Sequence, residues 1–144
     1  MSSKLEILLV EDNPYDAELT LHALKSCNLS NHLVHVEDGQ AALDFIFGTG
    51  AHVGRNVLDL PKVVLLDLHL PNVDGIEVLR QMKADERTKL VPVVILTSSR
   101  EERDVHATYQ AGANSYIVKP VDFETFLEAV SDMATYWVTS NVNA

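Results

Sequence analysis

The chain has 144 residues, with 21 Asp and Glu against 11 Lys and Arg, so it carries a formal net charge of −10. That deficit of positive charge argues against nucleic acid, whose phosphates need a basic face, and against docking on anionic membranes. One cysteine, Cys27, excludes an intramolecular disulfide, and no stretch approaches the ~20 apolar residues of a membrane span, so a single cytoplasmic domain is predicted over 1–144, with its core at about 5–138 and no room for a second domain of comparable size.

Short apolar runs alternate with amphipathic segments. Glu6–Val10 (EILLV) reads as a buried strand, and Pro14–Lys25, with Ala17, Leu21 and Leu24 on one face, as a helix. A weaker strand is predicted at His32–Val36 and a short helix at Gln40–Phe47. The segment 48–60 (GTGAHVGRNVLDL) is longer than most helix-to-strand connections, and its three glycines predict an exposed, mobile loop. Lys62–Leu66 (KVVLL) is the strongest strand signal, followed by a helix at Ile76–Lys83. Val93–Leu96 and Ser115–Val118 are two more strands flanking a helix at Glu101–Ala111. The final helix is the clearest: Phe123, Phe126, Leu127, Val130, Met133, Ala134, Trp137 and Val138 share one face behind an Asp122 cap. Continuous apolar strands separated by helices define an α/β class, a five-stranded, doubly wound parallel sheet of (βα)₅ type covered on both faces. Ligands of such sheets bind along the C-terminal strand edge.

The residues that follow the strands are consistent in kind. Glu11 and Asp12 follow the first, Asp67 the third, Thr97 and Ser98 the fourth, and Lys119–Pro120 the fifth. Taken singly, Asp12 or Asn13 is a helix cap, Asp67 a turn residue, Thr97 or Ser98 a cap and Lys119 a solvated side chain. Together they are three carboxylates, a hydroxyl and an ammonium at one edge. Carboxylates so placed repel unless a cation intervenes, and an all-oxygen set suits Mg²⁺ or Mn²⁺. The adjoining lysine and hydroxyl then point to an anionic co-ligand, most simply a phosphoryl group.

With LLVEDNPYD, VVLLDLHLPNVDG, VILTSS and YIVKPVD in this order and spacing, the chain resembles the receiver domain of two-component response regulators from Glu6 to about Trp137. The resemblance implies a flavodoxin-like fold with strand order 2-1-3-4-5. It also implies phosphoryl transfer from a sensor histidine kinase to Asp67. By the same resemblance Asp12 and Asp67 are direct metal ligands, Glu11 acts through water and the His69 backbone carbonyl completes the set. Thr97 and Lys119 would hold the phosphoryl oxygens, Pro120 would follow a cis peptide bond, and Thr97 and Tyr116 would form a switch in which Tyr116 follows the hydroxyl inward. The chemistry agrees: an ionised Asp67 needs no general base, and Lys119 can neutralise charge on the transferring oxygens.

Glu11 stands where many receivers carry Asp. The 48–60 insertion, the SSREERDV stretch and the final helix ending in YW resemble single-domain regulators paired with bacterial phytochromes. That implies a bacteriophytochrome as kinase, signalling by protein contact rather than enzyme turnover, and a homodimer through the helix 4–strand 5–helix 5 face, with Tyr136 and Trp137 at the interface unless Trp137 is core. Three alternatives are weaker. A haloacid dehalogenase-type phosphatase needs a second Asp where His69 stands, and a cap domain. Flavin binding needs a phosphate loop, whereas EDNP repels phosphate. A degenerate receiver, a phosphorylation-independent interaction module, has every chemical position filled against it.

Overall fold

β-Branched and leucine-rich runs too short for helices form five parallel strands in a computed structural model that describes residues 5–99, 101–119 and 122–142. These are β1 (Ile7–Val10), β2 (Leu33–Val36), β3 (Val63–Leu66), β4 (Val93–Thr97) and β5 (Ser115–Val118), in the order β2-β1-β3-β4-β5. In register, Val10 lies opposite Val36 and Leu66, Leu66 opposite Ile95, and Thr97 opposite Val118. Every strand therefore ends at the same edge, and the residues that follow are neighbours in space.

The side-chain alternation of a strand divides each apolar run between two cores. Leu8, Val10, Val64, Leu66, Val93 and Ile95 face α2 (Gly39–Phe47) and α3 (Gly75–Ala84). Ile7, Leu9, Val63, Leu65, Val94 and Leu96 face α1 (Pro14–Ser26) and α5 (Phe123–Thr135). Each fully buried aliphatic side chain contributes about 1.5–3 kcal/mol, so the central strands anchor the edge on which the site is built. Cys27 packs half-buried against the second core. No described helix is long and apolar enough to cross a membrane.

One expected element differs. The final helix does not run on to Val138: after Thr135 the chain widens into a π-turn over Tyr136–Ser140, closed by the Asn141 amide donating to the Tyr136 carbonyl at 2.7 Å. The cause is local: the Thr139 hydroxyl donates to the Thr135 carbonyl, while Lys62 Nζ donates to the Val138 carbonyl at 3.4 Å. The widened turn still buries Val138 and packs Trp137 against the core, leaving Tyr136 exposed.

The segment 48–60 is exposed, as expected, with Val53 and Leu58 in solvent, but it is anchored to α2. It holds a 3-10 turn at Gly50–His52, and Arg55 reaches under it, donating to the carbonyls of Phe45 and Asp59 with its guanidinium 4.1 Å over the Phe45 ring. The end of α2 leaves unpaired carbonyls and a partial negative charge, which an arginine satisfies. Periodicity carries no trace of such a single-residue anchor.

Candidate functional site at the sheet edge

Glu11 follows β1 and is almost fully buried. Its backbone amide donates to the Val36 carbonyl (3.1 Å), and its own carbonyl accepts from His35 Nε2 (2.9 Å). Asp12 is exposed beside it. Helix α1 is capped by Asn13, whose Oδ1 accepts from the amides of Tyr15 (2.9 Å) and Asp16 (3.1 Å), with Pro14 preset for the first turn. Asn13 thus relieves Asp12 of capping and leaves its carboxylate to the site.

Asp67 follows β3, tied back by its amide to the Val10 carbonyl at 3.0 Å. The loop after it turns sharply into α3 because Gly75 has no side chain: a Cβ there would lie 2.2 Å from the Asp67 carbonyl oxygen. The amide of His69 donates to Asp67 Oδ1 at 3.4 Å. The His69 ring is exposed, 3.8 Å from Asp104, and takes no part in the carboxylate cluster.

Carboxylate oxygens of Glu11, Asp12 and Asp67 lie within 4.8 Å of one another. An all-oxygen set this tight, with no thiolate or imidazole, fits a hard divalent cation and excludes a zinc-type ligand set. Lys119 enters from the end of β5, its backbone amide on the Thr97 carbonyl at 2.7 Å. Its ammonium donates to Glu11 Oε1 (2.6 Å), Asp16 Oδ2 (2.9 Å) and Asp67 Oδ2 (3.3 Å). An ammonium has three N–H donors, and all three are used.

Four carboxylates around one ammonium leave an excess of negative charge. Burial, then the hydrogen bond and charge of neighbouring Asp67, push the Glu11 carboxyl up to about 8 despite the opposing effect of Lys119. For Lys119 burial works against the charge, but the bonds to Glu11 and Asp16 and the charge of Asp67 outweigh it, and the ammonium holds its proton above the ordinary range.

Thr97 is buried, and its Oγ1 accepts weakly from the Ser99 amide at 3.4 Å. Neither Thr97 nor Ser98 caps α4 (Glu102–Gln110), whose N-cap is Glu101. Tyr116, on β5, donates its hydroxyl to the Ser99 carbonyl at 3.0 Å, and Ser99 Oγ donates to Asp104 Oδ2 at 2.6 Å. The expected cis bond before Pro120 lies outside the described residues.

The geometry thus brings together Glu11, Asp12, Asp67 and Lys119, with Thr97 and Tyr116 alongside. Sequence reasoning missed Asp16 and Asp104. Both stand in the first turn of a helix that leaves this edge, where an acidic residue reads as complementing the helix dipole. A signal was present for Asp16: it lies one turn beyond Asp12, on the side of α1 nearest the strand ends.

An α/β sheet of this order with this edge defines a class, and residues 7–131 match the response regulator receiver domain family, to which the chain belongs. It is 42% identical over 135 residues to the "Probable methanogenesis regulatory protein FilR2" of Methanothrix harundinacea (94% of this chain, 84% of that protein). It is 36% identical over 132 residues to "Response regulator Rcp1" of Synechocystis (92% and 88%). The crystal structure of Mn²⁺-bound Rcp1 superposes with a TM-score of 0.88, at 34% identity over 99% of each chain. That of the phosphorylated cyanobacterial phytochrome response regulator RcpA does so with 0.89, at 32% identity over 98% of this chain and 99% of the other.

Proposed function

We propose that the chain is a single receiver domain that accepts a phosphoryl group on Asp67 from a sensor histidine kinase, and that a phytochrome is that kinase. The supporting observation is the shared Lys119 ammonium on Glu11 and Asp67 beside a three-carboxylate cluster. One Asp67 oxygen is oriented by Lys119 and the other by the His69 amide, so the carboxylate faces its donor in a fixed pose. The histidine N–P bond breaks with its electron pair returning to the imidazole, and an Asp67 O–P bond forms. Lys119 offsets charge on the transferring oxygens, and Thr97 donates its hydroxyl to one of them.

Asp12, Asp67, the His69 backbone carbonyl and, through water, Glu11 are the groups that would hold Mg²⁺ or Mn²⁺. The ion, when bound, supplies Lewis-acid neutralisation of the phosphoryl charge. The chemistry is one group accepted and later lost to water, not turnover of a substrate. Output passes through protein contact, with homodimerisation through α4, β5 and α5, where Tyr109 is exposed on α4 and Tyr136 just beyond the end of α5.

Incubation with phosphoramidate and Mg²⁺ is expected to add the mass of one phosphoryl group, and Asp67→Asn to abolish it. No addition to the natural chain would overturn the reading. The resemblance to FilR2 favours a second reading of the input, a kinase that senses something other than light. Phosphotransfer profiling against the host's histidine kinases separates the two.

A further inference from the structure

The third partner of Lys119 has no place in the phosphoacceptor scheme above, on which the following rests. Asp16 is outside the metal-type cluster, yet its Oδ2 takes the Lys119 ammonium at 2.9 Å, closer than Asp67 does at 3.3 Å. It is held there from both ends: its amide donates to Asn13 Oδ1, and its carbonyl accepts from the buried Thr20 hydroxyl at 2.9 Å. The carboxylate is 30% exposed, whereas the Lys119 side chain is 9% exposed.

We infer that Asp16 is a positioning residue that competes with the phosphoryl group for the Lys119 ammonium, and so sets how readily this site takes up an anion. All three ammonium donors are engaged in the resting site, so an arriving phosphoryl oxygen must displace one carboxylate. Asp67 becomes the acyl phosphate itself, and Glu11 is buried on its 2.6 Å bond. Asp16, partly in water, is the partner whose release costs least, because solvent takes over its hydrogen bonds. Removing it does not set the lysine adrift: the Glu11 bond, the Lys119 amide on the Thr97 carbonyl and the packing of its stem all remain. Asp16→Asn leaves only a neutral amide oxygen, a weaker competitor for the ammonium, and loses a negative charge that repels incoming phosphate, while Asp16→Ser frees the donor outright.

The test uses beryllofluoride, a phosphoryl mimic, with excess Mg²⁺ on the whole chain, read by isothermal titration. Asp16→Asn is expected to bind it about threefold more tightly, the scale of one partly exposed ion pair, and Asp16→Glu to return toward the natural affinity. A structural role for Asp16 would instead lower the melting temperature and weaken binding. Equal or weaker binding by Asp16→Asn, or by Asp16→Ser should the first variant fold poorly, would overturn the inference. No uptake by the natural chain would overturn the phosphoacceptor reading itself, and the inference with it.

Discussion

The two flanks of the sheet edge are fastened in different ways. On the α2 side the backbone interlocks. The Gly39 amide donates to the Pro71 carbonyl at 3.3 Å, and a Cβ on Gly39 would lie 1.8 Å from the Val73 carbonyl oxygen. Asn72, in a left-handed conformation at φ 68°, donates to Asp38 Oδ2 at 3.1 Å while Asp38 Oδ1 caps α2. Helix α2 also buries Ala42, Leu43, Phe45 and Ile46. On the α4 side the join is made by side chains: Ser99 to Asp104, His69 near Asp104, and Tyr116 to the Ser99 carbonyl. Of α4 itself only Thr108 is buried. A backbone interlock moves only if the fold does, whereas three polar contacts over a poorly buried helix exchange partners at small cost. On the proposed reading, a phosphoryl group on Asp67 would find its compliant route outward, among the described residues, through Thr97, Ser99 and α4.

The largest expected effect tests the rigid flank. Gly39→Ala forces a methyl group into the Val73 carbonyl and is expected to cost about 3 kcal/mol, the upper range for overpacking, read as a lowered urea midpoint. A loss below about 1 kcal/mol would show that this flank yields and that the contrast is false.

The next prediction concerns the centre that both flanks share. With its carboxyl near 8 in the metal-free fold, Glu11 keeps a proton that the unfolded side chain, at 4.5, has lost. The folded-state value is raised, so the stability carried by the protonated form is full below pH 4.5 and is lost as pH rises through 8. A divalent cation held on the proposed reading through a water on Glu11 favours the ionised carboxylate, so Mg²⁺ affinity would run the other way. It is expected to rise up to about tenfold per pH unit and to level off above 8. A flat titration profile across that range would remove Glu11 from the metal site. Asn72→Ala, which loses both the Asp38 bond and a residue tolerant of left-handed φ, is expected to cost about 1 kcal/mol, with Asn72→Gly recovering the backbone share.

The same division explains what the sequence made legible. Two-faced burial and the meeting of Glu11, Asp12, Asp67, Thr97 and Lys119 follow from period and topology, because residues after parallel strands share an edge whatever their side chains do, whereas the strand order came only with the family resemblance. Asp16, Asp104 and Arg55 were not legible, since each acts through one side-chain rotamer reaching across elements. A helix-dipole acid and a loop arginine look the same whether or not they find such a partner. The end of α5 failed for a related reason: apolar spacing continues to Val138, but a threonine hydroxyl and Lys62 take the carbonyls that a regular helix needs.

The smallest expected effect on stability is the most telling about the compliant flank. Asp104→Ala removes the acceptor of the Ser99 hydroxyl and the acid facing His69, and it takes an acid from the first turn of α4. Ser99 and His69 both turn to water, and α4 has little apolar surface to lose. The cost is therefore expected to stay below about 1 kcal/mol, the range of exposed pairs and helix-dipole charges. Local opening should nonetheless rise: exchange of the Ser99 amide and of those in the first turn of α4 is expected to quicken about tenfold, with amides of α2 unchanged. Asp104→Asn, which keeps an acceptor for Ser99 but not the charge, should fall between. Acceleration spread equally over α2 and α4 would mean that the flanks open as one unit, and the phosphoryl signal would then have no preferred side.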